Sequence, residues 1–218
     1  MDLFEFALVF FDVDSTLVTI EGIEVLAEGS REVVELTEAA MNGTLPIDQV
    51  YARRLDIVRP TRQAVERLGE RYVASMLPDA AEVVGVLRRA RVDVHLVSAA
   101  IRQALLPFAS ALGLAERAVH AVPLLFESDG SYRDFDRRSF LTRPGGKELT
   151  ILDVRARSKG KAALVGDGMT DAEARGAVDL FIGFGGVVER EAVRALAEVY
   201  IDEPQLSAIL PHLMTRRP

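Results

Sequence analysis

The sequence predicts an α/β fold, a Rossmann-like parallel sheet sandwiched by helices with a helical cap inserted after the first strand. Three observations carry this expectation. Four short apolar runs are continuous rather than alternating, as befits strands covered on both faces. The segments between them repeat apolar residues at helical spacing. From about Val18 to Leu77, however, there is no strand signal at all.

In chain order, Phe6–Asp12 is the first apolar run and ends in an acid. The stretch after it shows only helical patterns, broken at Gly29, Asn42-Gly43, Pro46 and Pro60. A plain crossover between parallel strands needs only about a dozen residues, so this stretch reads as an insertion. The expected division is a catalytic core at 1–17 and 78–218, with a cap at 18–77. Val83, Val86, Leu87 and Ala90 then mark a helix, and Val92–Ser98 is the second strand. Leu105, Phe108, Ala109 and Leu112 mark another helix, and Asp129-Gly130 between apolar flanks predicts a hairpin. Ala162–Asp167 and Leu180–Ile182 are the remaining strands, the last followed by Gly183-Phe184-Gly185-Gly186. That glycine run lacks the strand-to-helix context of a dinucleotide site and reads as a tight loop. His95 reads as a core or strand-face histidine, and His120 and His212 show no ligand spacing.

Composition narrows the function. With 49% hydrophobic and 27% charged residues, the 218-residue chain is globular rather than disordered. Its longest uncharged stretch, Gln103–Ala115, has 13 residues and contains Pro107, whereas a membrane span needs roughly 20. No membrane partner is therefore expected. A net charge of −7 argues against nucleic acid as a partner. The absence of cysteine excludes disulfides, zinc–thiolate sites and thiol nucleophiles. The acidic start, Met1-Asp2, is unlike a secretory leader. A cytoplasmic monomer or homodimer is the resulting expectation.

Ligands of open α/β sheets bind beyond the carboxyl ends of the strands. Asp12, Asp14, Ser98 and Asp167 are therefore expected to converge, with Asp171 one helical turn further on. Such carboxylates, with no histidine or cysteine among them, suit Mg²⁺, and without a cation they would repel one another. An Asp-x-Asp pair alone is common, and a strand-end aspartate often only caps a turn. The specificity lies in the whole string Phe11–Leu17, taken with Ser98, Lys147 and Gly166–Asp171.

These four ordered motifs, Asp12–Leu17, Val97-Ser98, Gly146-Lys147 and Gly166–Asp171, resemble those of the haloacid-dehalogenase-like phosphohydrolases. The likeness extends to the phosphoserine phosphatase family through Glu21, Met41, Gly43, Arg53-Arg54-Leu55, Arg59-Pro60 and Ala177–Gly186. The resemblance implies a two-step phosphoryl transfer. Asp12 would be the nucleophile, and Asp14 the acid for the leaving oxygen and then the base for water. Mg²⁺ would be held by the Asp12 and Asp167 carboxylates and the Asp14 main-chain carbonyl. Ser98, Lys147 and the N–H groups of Val13 and Ala99 would bind the transferring oxygens. Asp171 would stand behind them, holding Lys147 or a metal-bound water. Glu21 would take the ammonium of a phosphoserine substrate and Arg54 its carboxylate, with Met41, Ile47 and Thr170 lining the remainder. The implied reaction is hydrolysis of O-phospho-L-serine, the last step of the phosphorylated route to serine. Two alternatives remain open: a phosphatase or phosphotransferase of the same superfamily acting on another small phosphomonoester, and a non-catalytic divalent-metal module. The chain departs from the family at Ala99-Ala100, where Gly-Gly is usual, and at Ile47, where larger aromatics are common. Both departures bear on the substrate more than on the mechanism.

Overall fold

The structure, a computed structural model, describes residues 3–215, so Met1 and Asp2 of the N-terminal reading lie outside the described residues. The chain opens with β1 (Phe6–Phe11), followed by α1 (Gly22–Leu26), α2 (Arg31–Met41), α3 (Ile47–Val58) and α4 (Arg62–Ala74). Then come α5 (Ala80–Arg89), β2 (Asp93–Ile101), α6 (Arg102–Ala111) and β3 (Val119–Val122). A small antiparallel pair, β4 (Leu124–Phe126) and β5 (Tyr132–Phe135), precedes α7 (Gly146–Arg155). The chain closes with β6 (Lys161–Gly166), α8 (Met169–Glu173), β7 (Leu180–Phe184), α9 (Glu191–Arg194), β8 (Val199–Ile201) and α10 (Leu210–Leu213).

Six strands form one parallel sheet in the order β3-β2-β1-β6-β7-β8. The continuous apolar runs are explained by burial from both sides: Phe10, Phe11, Leu96, Leu164, Val165 and Phe181 are fully buried. The Asp129-Gly130 turn joins β4 to β5 as expected, with Gly130 in the left-handed region at φ +87°. Among the described residues no helix is long and apolar enough to cross a membrane.

Two expectations about strands need correction. The second strand does not end at Ser98 but continues to Ile101. Its pairing to β3 lapses between Val97 and Ile101, leaving Ser98, Ala99 and Ala100 extended but unpaired on that side. The edge strands β3 and β8, of four and three residues, gave no distinct signal in the sequence because runs that short fix no periodicity.

The helices between β1 and β2 turn their apolar sides inward at i, i+3, i+4, i+7 spacing. Val33, Leu36, Thr37 and Ala40 do so on α2, and Val65, Leu68, Gly69 and Tyr72 on α4. Helix α3 stops at Arg59, left-handed at φ +41° and followed by Pro60, and the Thr61 hydroxyl accepts the Ala64 N–H to start α4. Helix α4 lies directly on α6. A Cβ at Gly69 would stand 3.1 Å from the Pro107 ring and 3.2 Å from the Ala104 carbonyl oxygen, so glycine lets the two backbones meet. The rings of Tyr72 and Phe108 lie 6.2 Å apart at the same contact.

Candidate active site

The adjacency of β2, β1 and β6 brings the ends of three strands side by side, and with them Ser98, Asp12 and Asp167. Beyond β1 the chain turns tightly through Ser15, at φ +52°. This turn folds the following segment back: the Ser15 hydroxyl donates to Glu21 Oε1 at 2.6 Å, and the Gly22 N–H donates to Asp14 Oδ1 at 3.3 Å. In the first turn of α7, the buried Lys147 sets Nζ 2.8 Å from Asp12 Oδ2 and 2.6 Å from Asp171 Oδ1. The other Asp171 oxygen accepts the Gly168 N–H at 3.1 Å. A Cβ at Gly166 would lie 2.2 Å from the Asp171 carboxyl carbon, which explains the glycine before Asp167. Asp167 itself accepts the Thr16 hydroxyl at 3.0 Å.

One cavity gathers the expected residues. Asp12, Asp14, Ser98 and Lys147 face it from the sheet side, and Glu21, Met41, Ile47 and Arg54 from the helical side, with Ala99 and Thr170 between. Val13, Asp167 and Asp171 stand behind its wall. The Val13 N–H, expected to meet a substrate oxygen, here donates to Asp12 Oδ1 at 2.8 Å. The Ser98 hydroxyl accepts the Ala100 N–H at 3.2 Å. Ala99 lies within β2 rather than on a strand-to-helix turn. Arg54 donates from Nη1 to Thr37 at 3.1 Å, while its buried Nε has no partner.

The charges are held far from their ordinary balance. Burial pushes the Asp14 carboxyl up to about 7, with the Asp12 and Asp167 charges adding to it. Burial, then Glu21 and Asp12, push Asp167 to about 8; burial and Asp14 push Glu21 to about 8. Burial and Asp12 raise Asp171 well above the carboxylate range, although Lys147 opposes this. For Lys147, burial alone disfavours the ammonium, yet Asp12 and Asp171 hold its pKa above the usual lysine value. Burial lowers the Arg54 guanidinium, against the pull of Tyr51, Glu21 and Asp14.

Asp12, Asp167 and Asp171 each offer a carboxylate oxygen within 4.8 Å of the others. Hard oxygen donors that repel one another in a buried site are the donor set a divalent cation satisfies. Asp12 and Asp167 are the two carboxylates expected to hold it, and Asp171 adds a third carboxylate to the cluster.

Sequence reasoning missed Arg190. Its Nε lies 3.3 Å from Asp167 Oδ2 and its Nη1 3.2 Å from Glu38 Oε2 on α2. As one of 23 arginines, outside every motif, it carried no signal. Tyr51 and Tyr72, which also face the cavity, were missed because their spacing reads as ordinary helix core.

Residues 9–175 match the haloacid dehalogenase-like hydrolase family. The chain is 39% identical to the chloroplastic phosphoserine phosphatase of Arabidopsis thaliana, over 86% of this chain and 66% of that protein. It is 37% identical to the Bos taurus phosphoserine phosphatase and 36% to the Homo sapiens one, over 88% of both chains in each case. Among solved structures, a phosphoserine phosphohydrolase-like protein from Francisella tularensis superposes with a TM-score of 0.84 at 24% identity, covering 93% of this chain and 98% of that one. A phospho-aspartyl intermediate analogue of phosphoserine phosphatase gives 0.82 at 24% identity, over 96% and 99%. At such identities the two structures speak for the shared fold.

Proposed function

The chain belongs to the haloacid dehalogenase-like hydrolase family and is a phosphatase, and from that premise we propose that it hydrolyses O-phospho-L-serine to L-serine and phosphate, closing the phosphorylated route to serine. One observation supports the substrate above the others. The cavity that holds the phosphoryl-transfer set also carries an acid, Glu21, and a buried arginine with an unpartnered Nε, Arg54. An acid and a guanidinium on one wall suit a zwitterionic amino acid, whose ammonium would favour the ionised Glu21 that burial disfavours.

Asp12 attacks phosphorus in line as the bond to the serine oxygen breaks, giving an aspartyl-phosphate. Asp14, pushed up to about 7, keeps a proton near neutral pH and passes it to that leaving oxygen. It then takes a proton from the water that hydrolyses the acyl phosphate. Lys147 and the Ser98 hydroxyl bind the transferring oxygens, with the Val13 and Ala99 N–H groups as further donors. Asp171 fixes Lys147 in place through its 2.6 Å contact. Arg54 grips the substrate carboxylate and Glu21 the ammonium, while Met41, Ile47 and Thr170 fill the space between. The helical segment 18–77 serves as the cap that chooses the substrate. A divalent cation, Mg²⁺ on this donor set, would be held by the Asp12 and Asp167 carboxylates and the Asp14 main-chain carbonyl, and would supply charge neutralisation for the carboxylates and the phosphoryl group. A cytoplasmic setting, which the cysteine-free composition fits, belongs to the same proposal.

Ala99-Ala100 and Ile47 favour a second reading, in which the same chemistry serves another small phosphomonoester. Phosphate release from L-phosphoserine and a panel of such esters, with Mg²⁺ or EDTA, separates the two. A cation-dependent preference for phosphoserine, absent in Asp12→Asn, is expected. Activity on other esters with little on phosphoserine would replace the substrate and keep the mechanism.

A further inference from the structure

Tyr72 sits on α4, is fully buried, and faces the cavity. Its hydroxyl is enclosed and has no hydrogen-bond partner of good geometry. Buried hydroxyls are almost always partnered, and an orphan at the wall of a binding cavity needs an explanation. The neighbours supply one. The hydroxyl lies against Gly22, where a Cβ would come within 2.0 Å of it, so the glycine is what admits the tyrosine to this position. The Gly22 N–H is the group that donates to Asp14 Oδ1. The hydroxyl also stands beside the Asp14 carboxyl, near enough to interact with it but short of a well-formed hydrogen bond. Through Gly69 and Phe108, α4 is seated on the core helix α6, which fixes where the donor points.

We propose that Tyr72 is a positioning residue for Asp14: its hydroxyl joins the Gly22 N–H on Asp14 Oδ1, leaving the proton on Oδ2, aimed at the leaving oxygen. The proposal rests on the phosphatase reading above, in which Asp14 gives that proton up as the phosphorus–oxygen bond breaks. It follows that Tyr72 matters in proportion to how much the leaving group needs a proton. An alkyl oxygen, as in phosphoserine, needs one; p-nitrophenolate leaves without it.

The experiment is single-turnover transfer to the enzyme in wild type and Tyr72→Phe, with phosphoserine and with p-nitrophenyl phosphate. The variant keeps the ring and its packing. Phosphoserine transfer is expected to slow roughly tenfold, with the nitrophenolate burst unchanged within about twofold. Gly22→Ala, whose methyl displaces the hydroxyl, should give the same selective loss. Equal slowing on both substrates would mean Tyr72 acts only through packing, and no slowing on either would mean Asp14 does not need it. Either result overturns the proposal. A wild-type protein active on other alkyl phosphates but not on phosphoserine would overturn the substrate reading alone, and the same comparison would then be read on those esters.

Discussion

Arg190 Nε lies 3.3 Å from Asp167 Oδ2, so one of the clustered carboxylates carries a fixed cation of its own. Removing one partner of a buried ion pair leaves the other charge uncompensated, typically at a cost of about 3–5 kcal/mol. Arg190→Gln should therefore destabilise the cation-free protein by roughly 3 kcal/mol. Because the cluster becomes more negative, added Mg²⁺ should raise Tm more in the variant than in wild type. Thermal melts with and without Mg²⁺ read both effects; identical Mg²⁺ shifts would count against this role for Arg190.

Lys147 bridges two acids at 2.8 and 2.6 Å and is the cation best placed to meet the transferring phosphoryl oxygens. Lys147→Met should lower kcat by about 10²–10³, the usual loss for one pre-organised electrostatic donor. Phosphate release checks it. A loss under about fivefold would mean the lysine serves only to balance Asp12 and Asp171.

Arg54 should be felt only by substrates that carry a carboxylate. For phosphoserine, Arg54→Ala is expected to lower kcat/KM by about 100-fold, as a charge-assisted bidentate contact is lost. For O-phosphoethanolamine, which keeps the ammonium but lacks the carboxylate, the change should be small. Parallel losses on both would assign Arg54 to the scaffold of the cavity instead.

His120 offers a pH test away from the active site. Burial, then the neighbouring His95 ring, lower it from 6.5 to about 4, with Asp153 opposing and Arg102 and Arg157 adding. Between those values the unfolded chain binds more protons than the folded one. The stabilisation is therefore complete above about 6.5 and is lost as pH falls through about 4. Allowing for the partial exposure of the ring, the loss should be about 2 kcal/mol. Denaturation midpoints at pH 7 and pH 4.5 should differ more for wild type than for His120→Gln. Parallel pH dependences would exclude the histidine as a source.

The sheet was legible in the sequence because burial on both faces leaves an unbroken apolar run, and Phe6–Phe11 and Lys161–Gly166 stand almost where those runs end. The motif residues were legible because a turn at a strand end tolerates few alternatives. What the sequence withheld were contacts between distant segments. Arg190 reaches Asp167 across 23 residues and Glu38 across 152, and neither separation leaves a periodic trace. His95, which reads as a core or strand-face residue, and His120, which shows no ligand spacing, meet at 3.1 Å because β2 and β3 are neighbours. The true length of β2 was hidden for a similar reason: Ala99 and Ala100 look like a turn unless the strand beside them is known.

The seating of α4 on α6 through Gly69 should make α4 the stationary part of the helical segment between β1 and β2 if that segment opens. With its backbone wedged against Ala104 and Pro107, α4 should behave as furniture bolted to the floor, and a door to the cavity would be hung from α1–α3. A substrate entering or leaving would then slide past a fixed Tyr72 while Glu21, Met41 and Arg54 swing. Amide hydrogen exchange would show the seam: α4 should protect like α6, and α3 should open sooner.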